Sequence, residues 1–241
     1  MEMKRLKIYF AISVLCMIQM ASHAQESSLP EGFTTSNTVW VIRIGGNLNN
    51  VTGSGVDDTK TNWAAQKCYG EFKNTFGGNA SFGLYSPLGT SPIYIGINAG
   101  VGMRGYKTSA KWKEDIGTIN SQETRLTAFN AQISPFNIGY IAKLTKNTAL
   151  DFHVGVFFTY DFAGTFTTEE DYSDNTSKKN SIDINDTENY NKYDTGVIGG
   201  IGFWYNHWNV NIDYQRGFSS IYNGGADFYS KIILLSLGYA F

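Results

Sequence analysis

Apolar and polar residues alternate along most of the chain, the period of extended strands whose two faces meet different surroundings. Trp208, Val210, Ile212, Tyr214 and Phe218 share one face, and His207, Asn209, Asn211, Asp213, Gln215 and Gly217 share the other. The same split sets Leu150, Phe152, Val154, Val156, Phe158, Tyr160 and Phe162 apart from Asp151, His153, Gly155, Thr159 and Asp161. It also sets Ile93, Ile95, Ile97, Ala99, Val101 and Met103 apart from Tyr94, Gly96, Asn98, Gly100, Gly102 and Arg104. Read throughout, the pattern predicts strands near residues 38–50, 76–86, 92–106, 125–142, 148–163, 194–206, 207–219 and 228–241. Each has the length of a tilted strand crossing a bilayer. Within the fourth, the apolar phase switches from Phe129, Ala131 and Ile133 to Phe136, Ile138 and Tyr140 across Pro135, which predicts a one-residue bulge.

The connections alternate in length. Those at 51–75, 107–124, 164–193 and 220–227 are long or polar; those at Pro87 to Ser91, Lys143 to Asn147 and Asn206-His207 are tight. Together these features predict an all-β, eight-stranded antiparallel up-and-down transmembrane β-barrel with short periplasmic turns and long external loops. Closure leaves no strand edge in hydrocarbon, where an unpaired backbone group costs several kcal/mol. Outward Trp40, Tyr205, Trp208, Tyr239 and Phe241 are expected at the periplasmic rim, with Phe129, Tyr160, Phe162 and Phe218 toward the outer rim. A secreted soluble barrel binding a small apolar ligand is the architectural alternative.

The first residues carry an address. Lys4, Arg5 and Lys7 precede the apolar stretch from Ile8 to Met20, and Ser22-His23-Ala24 supplies small residues at a cleavage site. The expected organisation is a signal peptide at 1–24, an N-terminal periplasmic leader at 25–37 and an outer-membrane β-barrel domain at 38–241. Losing three basic residues and one acidic residue with the signal peptide shifts the net charge from -2 to -4. That balance argues against nucleic-acid binding through bulk charge. Cys68 is then the single remaining thiol, so neither a disulfide nor a cysteine-based zinc site is expected to staple the fold. The overall composition, 42% hydrophobic in 241 residues, resembles that of a soluble protein because it sums two faces and their connections.

The segment Val41-Ile42-Arg43-Ile44-Gly45-Gly46-Asn47-Leu48-Asn49-Asn50 resembles the first-strand motif of the PorT-like outer-membrane beta-barrel domain proteins of Gram-negative bacteria. Gln132 to Tyr140 is similar to that family's mid-chain strand, with Ser134 as an inserted residue. Asp213-Tyr214-Gln215-Arg216-Gly217-Phe218 and Leu237-Gly238-Tyr239-Ala240-Phe241 resemble its terminal hairpin. The resemblance implies the barrel fold and an outer-membrane location, and its short motifs say little about activity.

Chemistry is sought on the inward faces. Arg43, Asp151, His153 and Asp213 fall in the lower and middle lumen, with Arg104, Asp161 and Asp194 higher. A buried unpaired charge is strongly unfavourable, so Arg43 is expected to bond Asp151 or Asp213, and Arg104 to bond Asp161 or Asp194, as an interior polar network. Asp151 and His153 share a face and offer an orienting carboxylate and a base for a lipid- or peptide-processing enzyme, but no serine context marks a nucleophile. His153 and His207 lie too far apart along the barrel for a metal site. Glu169, Glu170, Asp171, Asp174, Asp183, Asp186 and Glu188 against Lys178, Lys179 and Lys192 make 164–193 an acidic, solvated external loop. Glycines such as Gly96, Gly100 and Gly102 sit in strands, not in phosphate-binding turns. The expected function is non-enzymatic, without catalytic, cofactor or metal residues: a role in envelope structure, surface interaction or a larger envelope assembly. A narrow channel for small solutes is the second reading, and an enzyme using His153 the third. The expected partners are outer-membrane lipid and lipopolysaccharide, the barrel-assembly machinery through Phe241, and a surface protein or ligand at the long loops, with the chain a monomer.

Overall fold

The computed structural model of the chain describes residues 38–89, 91–112 and 119–241. The segments read as signal peptide and leader lie outside the described residues. In chain order the elements are β1 (Val39–Thr52), α1 (Ser54–Ala65), β2 (Cys68–Lys73), β3 (Thr75–Pro87), β4 (Ile93–Trp112), β5 (Ile119–Lys143), β6 (Thr148–Tyr172), β7 (Ser177–Asp183), β8 (Tyr193–Tyr205), β9 (Trp208–Gly217) and β10 (Tyr229–Ala240).

Eight of these strands form an antiparallel ring in the order β1, β3, β4, β5, β6, β8, β9, β10. The ring closes where β1 pairs β10, from Val41 opposite Ala240 to Thr52 opposite Tyr229. Closure gives every ladder group a partner, which is what lets sheet span lipid. The alternation does the sorting: Ile44, Phe152, Val210, Ile212 and Leu235 face outward and are exposed, while Asn209, Asn211, Asp213 and Gln215 on β9 face inward and are buried. At the short-turn end, Tyr239 packs edge-on against Trp208 and Phe241 at centroid distances of 5.1 and 5.2 Å. The tight β8–β9 turn places Asn206 at φ 51°, a left-handed conformation that asparagine tolerates.

Three long connections contain structure that the sequence reading placed in loops. β4, β5 and β6 run on to Trp112, from Ile119, and to Tyr172, well beyond the predicted ends near 106, 125 and 163. β2 pairs the top of β4 from Lys73 opposite Lys107 to Cys68 opposite Trp112, and β7 pairs the top of β6 from Thr165 opposite Asp183 to Asp171 opposite Ser177. The result is a five-stranded sheet, β2-β4-β5-β6-β7, rising from one side of the ring beyond its apolar belt. Its β5, β6 and β7 strands carry Thr, Ser, Gln and Glu, and only the β2–β4 part has a covered face, where α1 lies over Gly70 and Phe72, so the apolar alternation that marks the membrane section is largely absent here. The reading of 164–193 as a loop is corrected accordingly: its acidic residues are mostly in, or at the turn of, a β-hairpin. Cys68, read as a loop residue, is a buried strand residue.

Between β5 and β6, below the external sheet, two bulges reset the phase. Ile133 faces Phe158 while Phe136 faces Val156, so Ser134-Pro135 inserts one extra residue into β5. On the other strand, Phe129 faces Ala163 while Asn130 faces Asp161, and the extra residue is Phe162. The second bulge turns Phe166 toward the axis, where it packs with the cluster that closes the outer mouth.

Apolar clusters cap both ends of the lumen. Val39, Val41, Tyr85, Tyr94, Ile141, Ala149, Trp204 and Ala240 fill the periplasmic end. Val51, Val56, Tyr106, Leu126, Ala128, Ile184, Tyr190 and Ile221 fill the outer end, with Phe72, Tyr222 and Phe228 against them. α1 contributes Val56 to that outer cap and sets Trp63 against Phe72 at 5.5 Å between ring centroids.

Candidate functional site

Between the two caps the inward positions are mostly polar, with Phe157 and Ile232 buried among them. In the lower half, Arg43 on β1 donates from Nε to Asn209 Oδ1 at 3.1 Å and from Nη1 to the Tyr85 hydroxyl. Tyr85 in turn donates to Asn98. The Arg43 guanidinium also lies 4.9 Å from the centre of the Tyr85 ring. This corrects the expected pairing of Arg43 with Asp151 or Asp213: the arginine is held by an amide and a phenol. Those carboxylates meet other groups. Tyr94 donates its hydroxyl to Asp151 Oδ1 at 2.8 Å, and His153 Nε2 lies 2.6 Å from Asp213 Oδ1. His153 Nδ1 is 3.4 Å from Asp151 Oδ2 but lacks hydrogen-bond geometry. Arg43 and the two carboxylates sum to one negative charge, which a protonated His153 would cancel.

In the upper half, Arg104 binds both candidate carboxylates. Its Nε lies 2.9 Å from Asp161 Oδ1, its Nη2 2.8 Å from Asp161 Oδ2, and its Nη1 2.7 Å from Asp194 Oδ2. The forked donation matches the geometry at which guanidinium–carboxylate pairs are strongest. Tyr190 donates to Asp161, and Ser230 donates to Asp194 at 2.5 Å. Asp161, Asp194 and Arg104 are all buried.

Above them, at the outer cap, the hydroxyls of Tyr106 and Tyr222 are 2.6 Å apart. Burial raises the Tyr222 phenol above its ordinary range, and the neighbouring Tyr106 hydroxyl acts in the same direction. The space left between the caps is a cavity of about 90 Å³, lined by Asn47, Asn79, Ser81, Asn130, Gln132 and Asn137 among others.

All seven sequence-predicted interior residues therefore face the lumen, in two groups. Arg43, Asp151, His153 and Asp213 make the lower one, and Arg104, Asp161 and Asp194 the upper. Sequence reasoning placed Tyr94, Asn98 and Asn209 on the polar faces without assigning them a role, and it missed Tyr85, Tyr190 and Ser230. Chemically, the ring nitrogens of His153 face carboxylates, with no hydroxyl bonded to either. His207 sits at the periplasmic rim, with Nδ1 3.1 Å from the Ala240 carbonyl and its ring stacked on Tyr239. Among the described residues no group of three or more His, Cys, Asp or Glu side chains converges as a metal site.

The ring resembles solved outer-membrane barrels. Ail, the attachment invasion locus protein of Yersinia pestis, was solved with the heparin analogue sucrose octasulfate; the match is 14% identical over 85% of this chain and 99% of Ail, with a TM-score of 0.37. A major outer membrane protein of Thermus thermophilus is 15% identical over 85% of this chain and 99% of its own, with a TM-score of 0.44. OprG of Pseudomonas aeruginosa is 13% identical over 87% and 98%, with a TM-score of 0.34. No curated protein matches the chain. The family model for the outer membrane protein beta-barrel domain matches residues 23–223. The chain belongs to the outer membrane protein beta-barrel domain family, and its strands cross the outer membrane.

Proposed function

We propose that this protein is a non-enzymatic outer-membrane barrel that serves envelope structure and surface interaction by holding a rigid β-sheet outside the membrane. The observation that carries the reading is the combination of a lumen capped at both ends by apolar clusters with a five-stranded sheet standing beyond the belt. A barrel of eight strands has an interior that side chains can fill, so its wall acts as a mount and its external face meets partners. A surface protein or ligand at the β6–β7 hairpin and neighbouring connections, and docking of the barrel-assembly machinery on outward Phe241, belong to this reading. So do a monomeric chain, the signal peptide at 1–24 with its leader at 25–37, and kinship with the PorT-like branch through Val41 to Asn50 and the terminal hairpin.

Planar-bilayer recording tests the closed lumen. The reconstituted chain is expected to give no resolvable steps, and regular single-channel steps in the wild type would overturn the mount reading in favour of a narrow solute channel. The cavity between the caps, lined by several amide and hydroxyl side chains, is the feature that favours that second reading. Hydrolysis of lipid or peptide that disappears in His153→Ala would instead establish an enzyme.

A further inference from the structure

Two cations stand side by side on the lipid-facing wall, and among the described residues neither is in an ion pair. Arg216 on β9 and Lys231 on β10 are direct cross-strand partners. Both have outward parity, since Gln215, Gly217, Ser230 and Ile232 beside them are buried inward. Like charges directly opposite one another in a sheet are destabilising. Among the described residues neither has a carboxylate within ion-pair distance, and the Arg216 guanidinium lies 5.3 Å from the centre of the Tyr229 ring.

The depth of the pair gives the ligand its class. Two residues toward the periplasm on the same outward rows lie exposed Tyr214 and Ile233, and two residues beyond Arg216 lies exposed Phe218. The pair thus sits inside the outer aromatic girdle, at the boundary where headgroups meet acyl chains. A lysine and an arginine there extend their stems over the apolar wall and carry their charges to the headgroup layer. The row continues across the ring closure: Lys231 faces Asn50, and Asn50 donates to Asn74 at 2.6 Å. Just beyond, Lys73 and Lys107 are already paired with Glu71 at 2.8 Å and Glu123 at 2.5 Å. Arg216 and Lys231 have no such partner among the described residues.

We infer that Arg216 and Lys231 bind the phosphate of a phosphorylated glycolipid headgroup in the outer leaflet, its acyl chains lying along the wall below. The inference rests on the outer-membrane placement and holds whether the lumen conducts or is closed.

The test uses the purified full chain in a zwitterionic detergent, incubated with bis-phosphorylated lipid A or with the same lipid after dephosphorylation, and read by native mass spectrometry. Wild type should retain the phosphorylated lipid, with roughly tenfold weaker retention for R216Q/K231Q, the equivalent of about 1.4 kcal/mol. K111Q, at the far top of β4, should bind as wild type, and the charge-preserving R216K/K231R should keep most of the retention. Heat-modifiable electrophoretic mobility confirms that each variant is folded. Equal retention of the two lipids, or unchanged retention by R216Q/K231Q, would overturn the assignment.

Discussion

Replacing Arg104 by Leu should be among the most damaging single changes in the barrel. The guanidinium meets Asp161 and Asp194 at 2.7–2.9 Å, and its loss strands two carboxylates that are 0% and 2% exposed. Breaking one buried pair by removing a partner costs about 3–5 kcal/mol, because a charge remains buried without its counter-ion. Tyr190 and Ser230 still donate to these carboxylates and hold the cost inside that range. With a urea dependence of about 2 kcal/mol per molar, the unfolding midpoint should fall by about 1.5–2.5 M. The assay is reversible urea unfolding in detergent micelles followed by tryptophan fluorescence. The triple variant R104M/D161N/D194N removes all three charges and should recover most of the loss, since no charge is left unpaired. A midpoint shift in R104L that corresponds to less than about 1 kcal/mol, the size of an exposed pair, would refute the argument from burial.

Tyr222 has a folded pKa above its unfolded value, so its contribution to stability is fully present below the unfolded value near 10 and is lost as pH rises through the folded value. Alkaline titration should therefore loosen the outer cap above about pH 10, and the Tyr222→Phe variant should soften that decline; a variant profile identical to wild type would count against it. A methyl group on Gly139 would collide with the Tyr94 ring and push its hydroxyl from Asp151, so Gly139→Ala should cost about 1–3 kcal/mol by the same urea assay. Lys178 and Lys179 lie in paired β7, so trypsin shaving of intact cells should cut there more slowly than at Lys192, which lies outside the strands; equal rates would show that the hairpin is open.

The membrane section of the fold was legible because hydrocarbon on one side and a polar lumen on the other impose an unmistakable period. Pro135 was legible too, since it coincided with a phase change in outward Phe and Ile residues. The external sheet was not: Lys107, Ser109 and Lys111 alternate only with Thr108 and the small Ala110, too little apolar contrast to mark the covered face. Phe162 hid its bulge for a related reason, because the outward face still reads as aromatic on either side of it. Helix α1 begins after Gly53 with no side-chain cap, and its apolar residues form no strong stripe, so nothing local announced it. Of the site, inward parity identified the charged residues. Partner choice needed the ring: Arg43 finds Tyr85 and Asn209 because β1 has β3 on one side and, one strand beyond β10, β9 on the other.

The arrangement around Arg43 also governs how the ring can come apart. β1 and β10 are the first and last strands of the ring, and their junction is the seam where a growing sheet must finally meet itself. Arg43 reaches over that seam to Asn209, crossing β10 at Gly238, where even a methyl group would come within 2.9 Å of its side chain. The bond therefore forms only after the last strand is seated, and peeling either terminal strand exposes a guanidinium in the interior. Opening at the seam is coupled to loss of the interior bonds of Arg43, so neither β1 nor β10 leaves the ring without breaking more than its own ladder.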